Sequence, residues 1–220
     1  LVDCPSGQWE RTVNPPAYAF SGSNPLSTTS RIEFMDQISK AAAHLKNGGI
    51  IAFPTETVYG LGVDAENESA VSKMYEIKGR PKNHPVIVHI SSISDVSYWA
   101  KEIPKYADEL MKKFWPGPMT LILPRSDRAK NFITGGQDFV GLRIPSNPTA
   151  LSLLQAFAKL GGHGIAAPSA NRFGSISPTS ANDVQEEIGA YLGSDDLILD
   201  GGDSEIGVES TIIDCSRALP

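Results

Sequence analysis

Several stretches of this 220-residue chain hold side chains whose types and spacing suit chemistry on a small molecule. In GGIIAFPTETVYGLG, residues 48–62, a short apolar run stops at Pro54 and is followed by Thr55, Glu56, Thr57 and Tyr59. The design returns where Ile165-Ala166-Ala167 meets Pro168, followed by Ser169 and Asn171, and a related one stands at Glu209-Ser210-Thr211. Proline lacks an N–H and ends a strand ladder, so the polar groups beyond it are released from pairing and can face a ligand. In open α/β sheets, ligands sit beyond strand ends. The alternative for any one motif is that its hydroxyls serve only turns and caps. Recurrence at a second strand end favours a site. A further stretch, Lys78-Gly79-Arg80-Pro81-Lys82-Asn83-His84-Pro85, carries three cations on a segment stiffened by two prolines. Rigid cations suit a polyphosphate, with Arg as a planar fork and Lys as a point charge. The competing reading is a solvated basic helix end.

Other signatures are missing. The chain has no G-x-x-x-x-G-K-[ST], no G-x-G-x-x-G opening a βαβ unit, no G-x-S-x-G, no H-E-x-x-H and no C-x-x-C. The phosphate chemistry is therefore not that of a P-loop, and no nucleophile elbow or zinc motif is present. His163, in a glycine turn, reads as a surface histidine.

A net charge of -6 argues against a general grip on nucleic acid. A focused patch of Lys73, Lys78, Arg80 and Lys82 keeps an RNA-binding module, acting without turnover, as the alternative function. No apolar run approaches the ~20 residues of a membrane span. The N-terminal stretch is too polar and proline-broken for a secretory signal. Cys4 and Cys215, at opposite ends, read as free thiols of a reducing compartment, with a disulfide as the alternative. Together these features place the protein in the cytoplasm, away from membranes.

The elements that must position these residues follow from periodicity. Residues 1–29 are aperiodic and read as an N-terminal extension; residues 30–220 read as one domain. Ser30 and Glu33 form a capping-box pattern before Ile32, Met35, Ile38, Ala42 and Leu45, which recur at helical spacing until Gly48-Gly49. A strand over Ile50–Phe53 follows, then a helix opening at Asn67 or Ser69 and closing at Gly79. Val86–Ile90, Thr120–Leu123, Val140–Ile144, Ile165–Ala167, Leu197–Leu199 and Thr211–Ile213 read as strands. Tyr106–Phe114, Thr149–Leu160 and Ser180–Tyr191 read as helices. Helices and short apolar strands alternate without strict order, so the class is α/β with a mixed sheet.

Six blocks in order, from about Gly49 to Asp214, carry a resemblance: FPTETVYGLG, KGRPKNHPVIVHI, WPGPMTLIL, VGLRIPSNP, APSANRFGSISPT and DGGDSEIGVESTIID. Together they resemble the YrdC family of L-threonylcarbamoyladenylate synthases. The resemblance implies a YrdC/RibB-like twisted, open mixed β-sheet with flanking helices and a concave, positively lined cavity. It implies a nucleotidyltransferase that joins L-threonine, bicarbonate or CO2, and ATP into threonylcarbamoyl-AMP and pyrophosphate. A tRNA threonylcarbamoyl transferase complex would then use the product, and Mg2+ would arrive bound mainly through ATP, with no protein metal site. Carried over by position, Thr57, His89, Arg143, Ser169 and Ser210 are the expected threonine contacts. Arg80, His84, Asn171 and Thr179 are the expected ATP contacts. Lys78, with Arg80, would face the reacting groups, and Thr55 and Tyr59 would shape the pocket wall. The family pattern continues past STIID to an Arg-Pro-Gly segment near the nucleotide, whereas this chain runs Cys215-Ser216-Arg217-Ala218-Leu219-Pro220. On that pattern the expectation is a nucleotide site left incomplete within this sequence. A related carbamoyl-adenylate domain of hydrogenase-maturation carbamoyltransferases is a third reading, weakened by the missing Cys pairs.

Overall fold

The computed structural model describes residues 28–217. One eight-stranded mixed sheet organises them: β1 (Ile51–Phe53), β2 (Gly60–Asp64), β3 (Ile87–His89), β4 (Met119–Pro124), β5 (Phe139–Arg143), β6 (Ile165–Ala166), β7 (Leu197–Ile198) and β8 (Thr211–Asp214). Their spatial order is β7-β1-β2-β6-β3-β5-β4-β8. β1 with β7, β3 with β5 and β4 with β8 run parallel, and the other neighbours run antiparallel.

Helices cover both faces. α1 (Thr28–Lys46) and α6 (Pro148–Lys159) pack on one, where Ile38, Leu45, Leu153 and Phe157 meet Ile51 and Phe53 of β1. On the other face, Ile50 and Ala52 join a larger cluster. It includes Met74 of α2 (Glu68–Lys78), Met111 of α4 (Lys105–Phe114) and Val184 of α7 (Ala181–Ile188). The alternation along β1 is the period of two that a strand buried on both faces requires. Short helices α3 (Val96–Trp99) and α5 (Asn131–Thr134) complete the set.

Local chemistry explains most boundaries. Asn67 caps α2 by accepting from Ala70 N at 3.0 Å, and Gly79 closes it in the left-handed region at φ 61°. Asn147 caps α6 with Pro148 in its first turn, and Ser180 with Asp183 forms a capping box on α7.

Four readings need correction. The first helix starts at Thr28, so Ser30 lies inside its first turn and is not its cap. Its apolar stripe is only partly used: Ile38, Ala42 and Leu45 are buried, whereas Ile32 and Met35 are 64% and 50% exposed. The 19-residue helix outreaches its 12-residue partner α6, and those two lie on its exposed part among the described residues. The last helix ends at Ile188, and a 3-10 turn, Gly189–Tyr191, continues it. Strand β2 was missed altogether because glycines occupy one of its faces. A Cβ on Gly62 would stand 2.7 Å from both Phe53 and Ile165, so the glycine makes room for the Phe53 ring and erases the apolar alternation a reader looks for. Cys215 is a free, buried thiol, and Cys4 lies outside the described residues.

The connection 199–210 joins β7 to β8, the two opposite edges of the sheet. It is pinned on the way, by Ser204 N donating to Thr179 O at 2.8 Å and Ile206 N to Glu56 O at 2.8 Å.

Candidate active site

β1 ends at Phe53, and Pro54 releases the chain into a tight reversal that re-enters the sheet as β2. Thr55 organises the turn: Oγ1 donates to Val58 O at 2.6 Å and accepts from the N–H groups of Thr57 and Val58 at 3.2 Å. It also lies 2.9 Å from Thr57 Oγ1. The hydroxyl knot thus builds its own turn and also presents a polar wall. Pro168 and Ser169 come alongside, with Leu61 N donating to Pro168 O at 2.8 Å and Gly60 bridging to Ser169.

These ends enclose a cleft of about 410 Å³. It collects Thr55, Thr57, Arg80, His89 and Arg143 from the sequence-derived set, together with Ser169 and Ser210. Ser210 Oγ lies 2.9 Å from Thr120 Oγ1, which ties the start of β8 to β4. Tyr59 is not part of this lining. Its ring is fully buried and its hydroxyl donates to Gly202 O at 2.8 Å, so it anchors the 199–210 connection and does not shape the cleft wall.

Arg143 is held by a carboxylate that received no role from the sequence. Its Nη2 donates to Glu56 Oε1 at 2.7 Å and to Thr57 Oγ1 at 3.0 Å, with both ionic side chains 4% exposed. Glu56 Oε2 accepts from Ser146 N at 2.9 Å and Asn147 N at 3.4 Å. The pair fixes the guanidinium, while its buried Nε has no partner among the described residues. A lone carboxylate between two threonines was the available signal for Glu56, but spacing alone could not link residues 87 positions apart.

His89 faces the same cleft. Burial, followed by repulsion from Arg143, lowers its imidazole to about 3, so it is neutral at neutral pH. Its buried Nδ1 also lacks a partner among the described residues.

The cations of the 78–85 segment do not act as one cluster. Lys78 is 1% exposed, and its Nζ donates to Ser169 O and Asn171 O, each at 2.5 Å. Burial and then Arg80 lower its ammonium to about 8. Lys78 therefore lies behind the cleft, clamping the loop that carries Ser169. Lys73 is engaged by Asp196 at 3.0 Å and Lys82 by Ser72 Oγ at 2.7 Å. The patch expected for RNA is thus divided among separate internal partners, and of those four cations only Arg80 lines the cleft.

The remaining candidates sit around it. Arg80 Nη2 donates to Pro85 O at 3.0 Å, and its guanidinium lies 5.9 Å from the Phe173 ring centroid. His84 packs edge-on to that ring at 5.5 Å. Asn171 donates to Arg172 O and Ser175 O, and its buried Oδ1 has no partner among the described residues. Thr179 bonds Asp183 at 3.2 Å and lines a neighbouring depression with Asp183 and Glu187. His84, Asn171 and Thr179 are therefore not in the main cleft. Among the described residues, no group of three or more His, Cys, Asp or Glu could hold a metal ion.

The profile of the Sua5/YciO/YrdC family, described as "Telomere recombination", matches residues 43–220. The threonylcarbamoyl-AMP synthase of Pyrococcus abyssi (strain GE5 / Orsay) is 48% identical over 195 residues, covering 89% of this chain and 55% of that protein. The Bacillus subtilis (strain 168) threonylcarbamoyl-AMP synthase is 46% identical over 185 residues, covering 84% of this chain and 51% of that one. The chain thus spans about half the length of these curated relatives. The crystal structure of P. abyssi Sua5 complexed with L-threonine superposes with a TM-score of 0.77 at 47% identity, over 82% of this chain and 51% of that chain.

Proposed function

Because the chain belongs to the Sua5/YciO/YrdC family, we propose that it is a threonylcarbamoyl-AMP synthase domain. It condenses L-threonine, CO2 or bicarbonate, and ATP into threonylcarbamoyl-AMP and pyrophosphate. The observation that carries this reading is a cleft in which Arg143, Thr57, Ser169 and Ser210 converge from separate strand ends and Arg80 joins them from beyond the end of α2. The threonine found in the P. abyssi structure supports an amino-acid occupant.

The chemistry asks for alignment more than for a protein nucleophile. A carbamate oxygen attacks the α-phosphorus of ATP, and the P–O bond to pyrophosphate breaks. Holding two reactants in line removes about 7–11 kcal/mol of barrier. Arg143, fixed by Glu56, receives the threonine carboxylate, and the hydroxyls of Thr57, Ser169 and Ser210 bond its polar groups. Neutral His89 offers a hydrogen bond without adding charge. Arg80 meets the phosphates, where charge grows in the transition state. Lys78 acts from behind by fixing the loop that carries Ser169, and Asn171, His84 and Thr179 border the outer part of the nucleotide. Mg2+ enters bound mainly through ATP, and no step is assigned to it. The product passes to a tRNA threonylcarbamoyl transferase complex, and the setting is the cytoplasm; no helix of the described residues is long and apolar enough to cross a membrane.

The test is pyrophosphate release from ATP, Mg2+ and bicarbonate with and without L-threonine. Release should require threonine, and Arg80→Ala should lower turnover more than tenfold, about 1.4 kcal/mol of transition-state stabilisation. Threonine-independent release, or a wild-type rate in Arg80→Ala, overturns the reading.

A further inference from the structure

The cleft is built for anions. Arg80 and Arg143 line it, and Lys78 stands behind it. An amino acid entering as a zwitterion finds several partners for its carboxylate, whereas its ammonium is repelled by the same cations. Among the described residues, one carboxylate lines the cleft, and it is Glu209. Glu56, the other acid nearby, is already committed on both oxygens, to Arg143 and to the N–H groups of Ser146 and Asn147. Glu209 is different. It is exposed, its Oε1 accepts from Ser177 Oγ at 2.6 Å, its Oε2 has no hydrogen-bond partner among the described residues, and its charge acts on the Lys78 ammonium. The Ser177 bond joins the loop after β6 to the 199–210 connection, so the carboxylate is held at the mouth beside Ser210.

We propose that Glu209 binds the ammonium of the amino-acid substrate and takes its proton, serving as the base that frees the amine for carbamate formation. This rests on the synthase reading above. The ammonium N–H proton passes to the Glu209 carboxylate, leaving a lone pair on nitrogen. That pair forms the N–C bond to CO2, and one C=O π pair moves onto oxygen. Glu209, open to solvent, releases the first proton to water and accepts the second N–H proton, so that a carbamate anion and two protons result. The carbamate oxygen is then the nucleophile toward ATP. Ser177 holds the Glu209 carboxylate in place by the hydrogen bond that it donates to Oε1.

The experiment uses the full chain with Glu209→Gln and Glu209→Asp, following threonine-dependent pyrophosphate release against pH. Glu209→Gln should lower kcat/KM for threonine at pH 7 by about 100-fold, the scale of a lost general base. KM for ATP should stay unchanged, and the defect should shrink as pH rises toward the pKa of the amine. Glu209→Asp should keep part of the activity. Calorimetry supplies a readout without turnover: Glu209→Gln should weaken binding of L-threonine but not of its amine-free analogue 2,3-dihydroxybutanoate. Undiminished threonine kcat/KM in Glu209→Gln, a loss that does not vary with pH, or equal weakening of both ligands overturns the proposal. If the wild type is active and Glu209→Gln is indifferent, this inference alone falls. If the wild type shows no threonine-dependent release, the synthase reading falls and the inference with it.

Discussion

Glu56→Ala removes one partner of an ion pair that is 4% exposed on both sides and 2.7 Å long. The Arg143 guanidinium then stays buried without its carboxylate, and Ser146 N and Asn147 N lose their acceptor. Breaking a buried pair from one side costs about 3–5 kcal/mol, mostly because the remaining charge is uncompensated. A domain of this size holds only about 5–15 kcal/mol in total, so the loss is a large share of its stability. With a urea m-value of about 2 kcal/mol/M, the unfolding midpoint should fall by about 2 M. The assay is equilibrium urea unfolding of the wild type, Glu56→Ala, Arg143→Met and the double variant. The double variant should be more stable than Glu56→Ala alone, since it removes the stranded charge. A midpoint shift equivalent to less than about 1 kcal/mol, in the range of an exposed pair, would refute the reasoning. So would a double variant no more stable than the sum of the two single losses implies.

Two further outcomes concern His89 in the cleft and Gly62 in the sheet interior. His89 has its folded pKa lowered from 6.5 to about 3, so between those values the unfolded chain binds more protons than the folded one. Stability is therefore level with respect to this group above pH 6.5 and is lost as the pH falls through that window. His89→Asn should flatten the acid limb of a stability–pH curve measured by urea unfolding, and an identical limb would show that His89 is not its source. Gly62→Ala places a Cβ 2.7 Å from Phe53 and Ile165 in the sheet interior. Overpacking of this kind costs about 1–3 kcal/mol, and an unchanged melting temperature would mean that the Phe53 ring yields freely.

The sequence by itself determined the local grammar. Asn67 or Ser69 and Gly79 mark the bounds of α2, Ser180 marks the start of α7, and Pro54 and Pro168 end strands, because caps and proline stops act within a few residues and owe little to context. It also marked most of the polar cleft, since Thr57, Arg80, His89, Arg143, Ser169 and Ser210 all line it. What it could not supply were relations between distant residues. The Glu56–Arg143 pair joins positions 87 apart, and Glu209 reaches the cleft only because the 199–210 connection returns from one sheet edge to the other. Lys78 reads as a cation facing the reacting groups until the fold buries it against two backbone carbonyls, and Tyr59 reads as a wall until its hydroxyl is found on Gly202. Burial and partnership are properties of the packed sheet: they decide which charges are neutralised internally and which, like Arg80 and Glu209, remain free to meet a substrate.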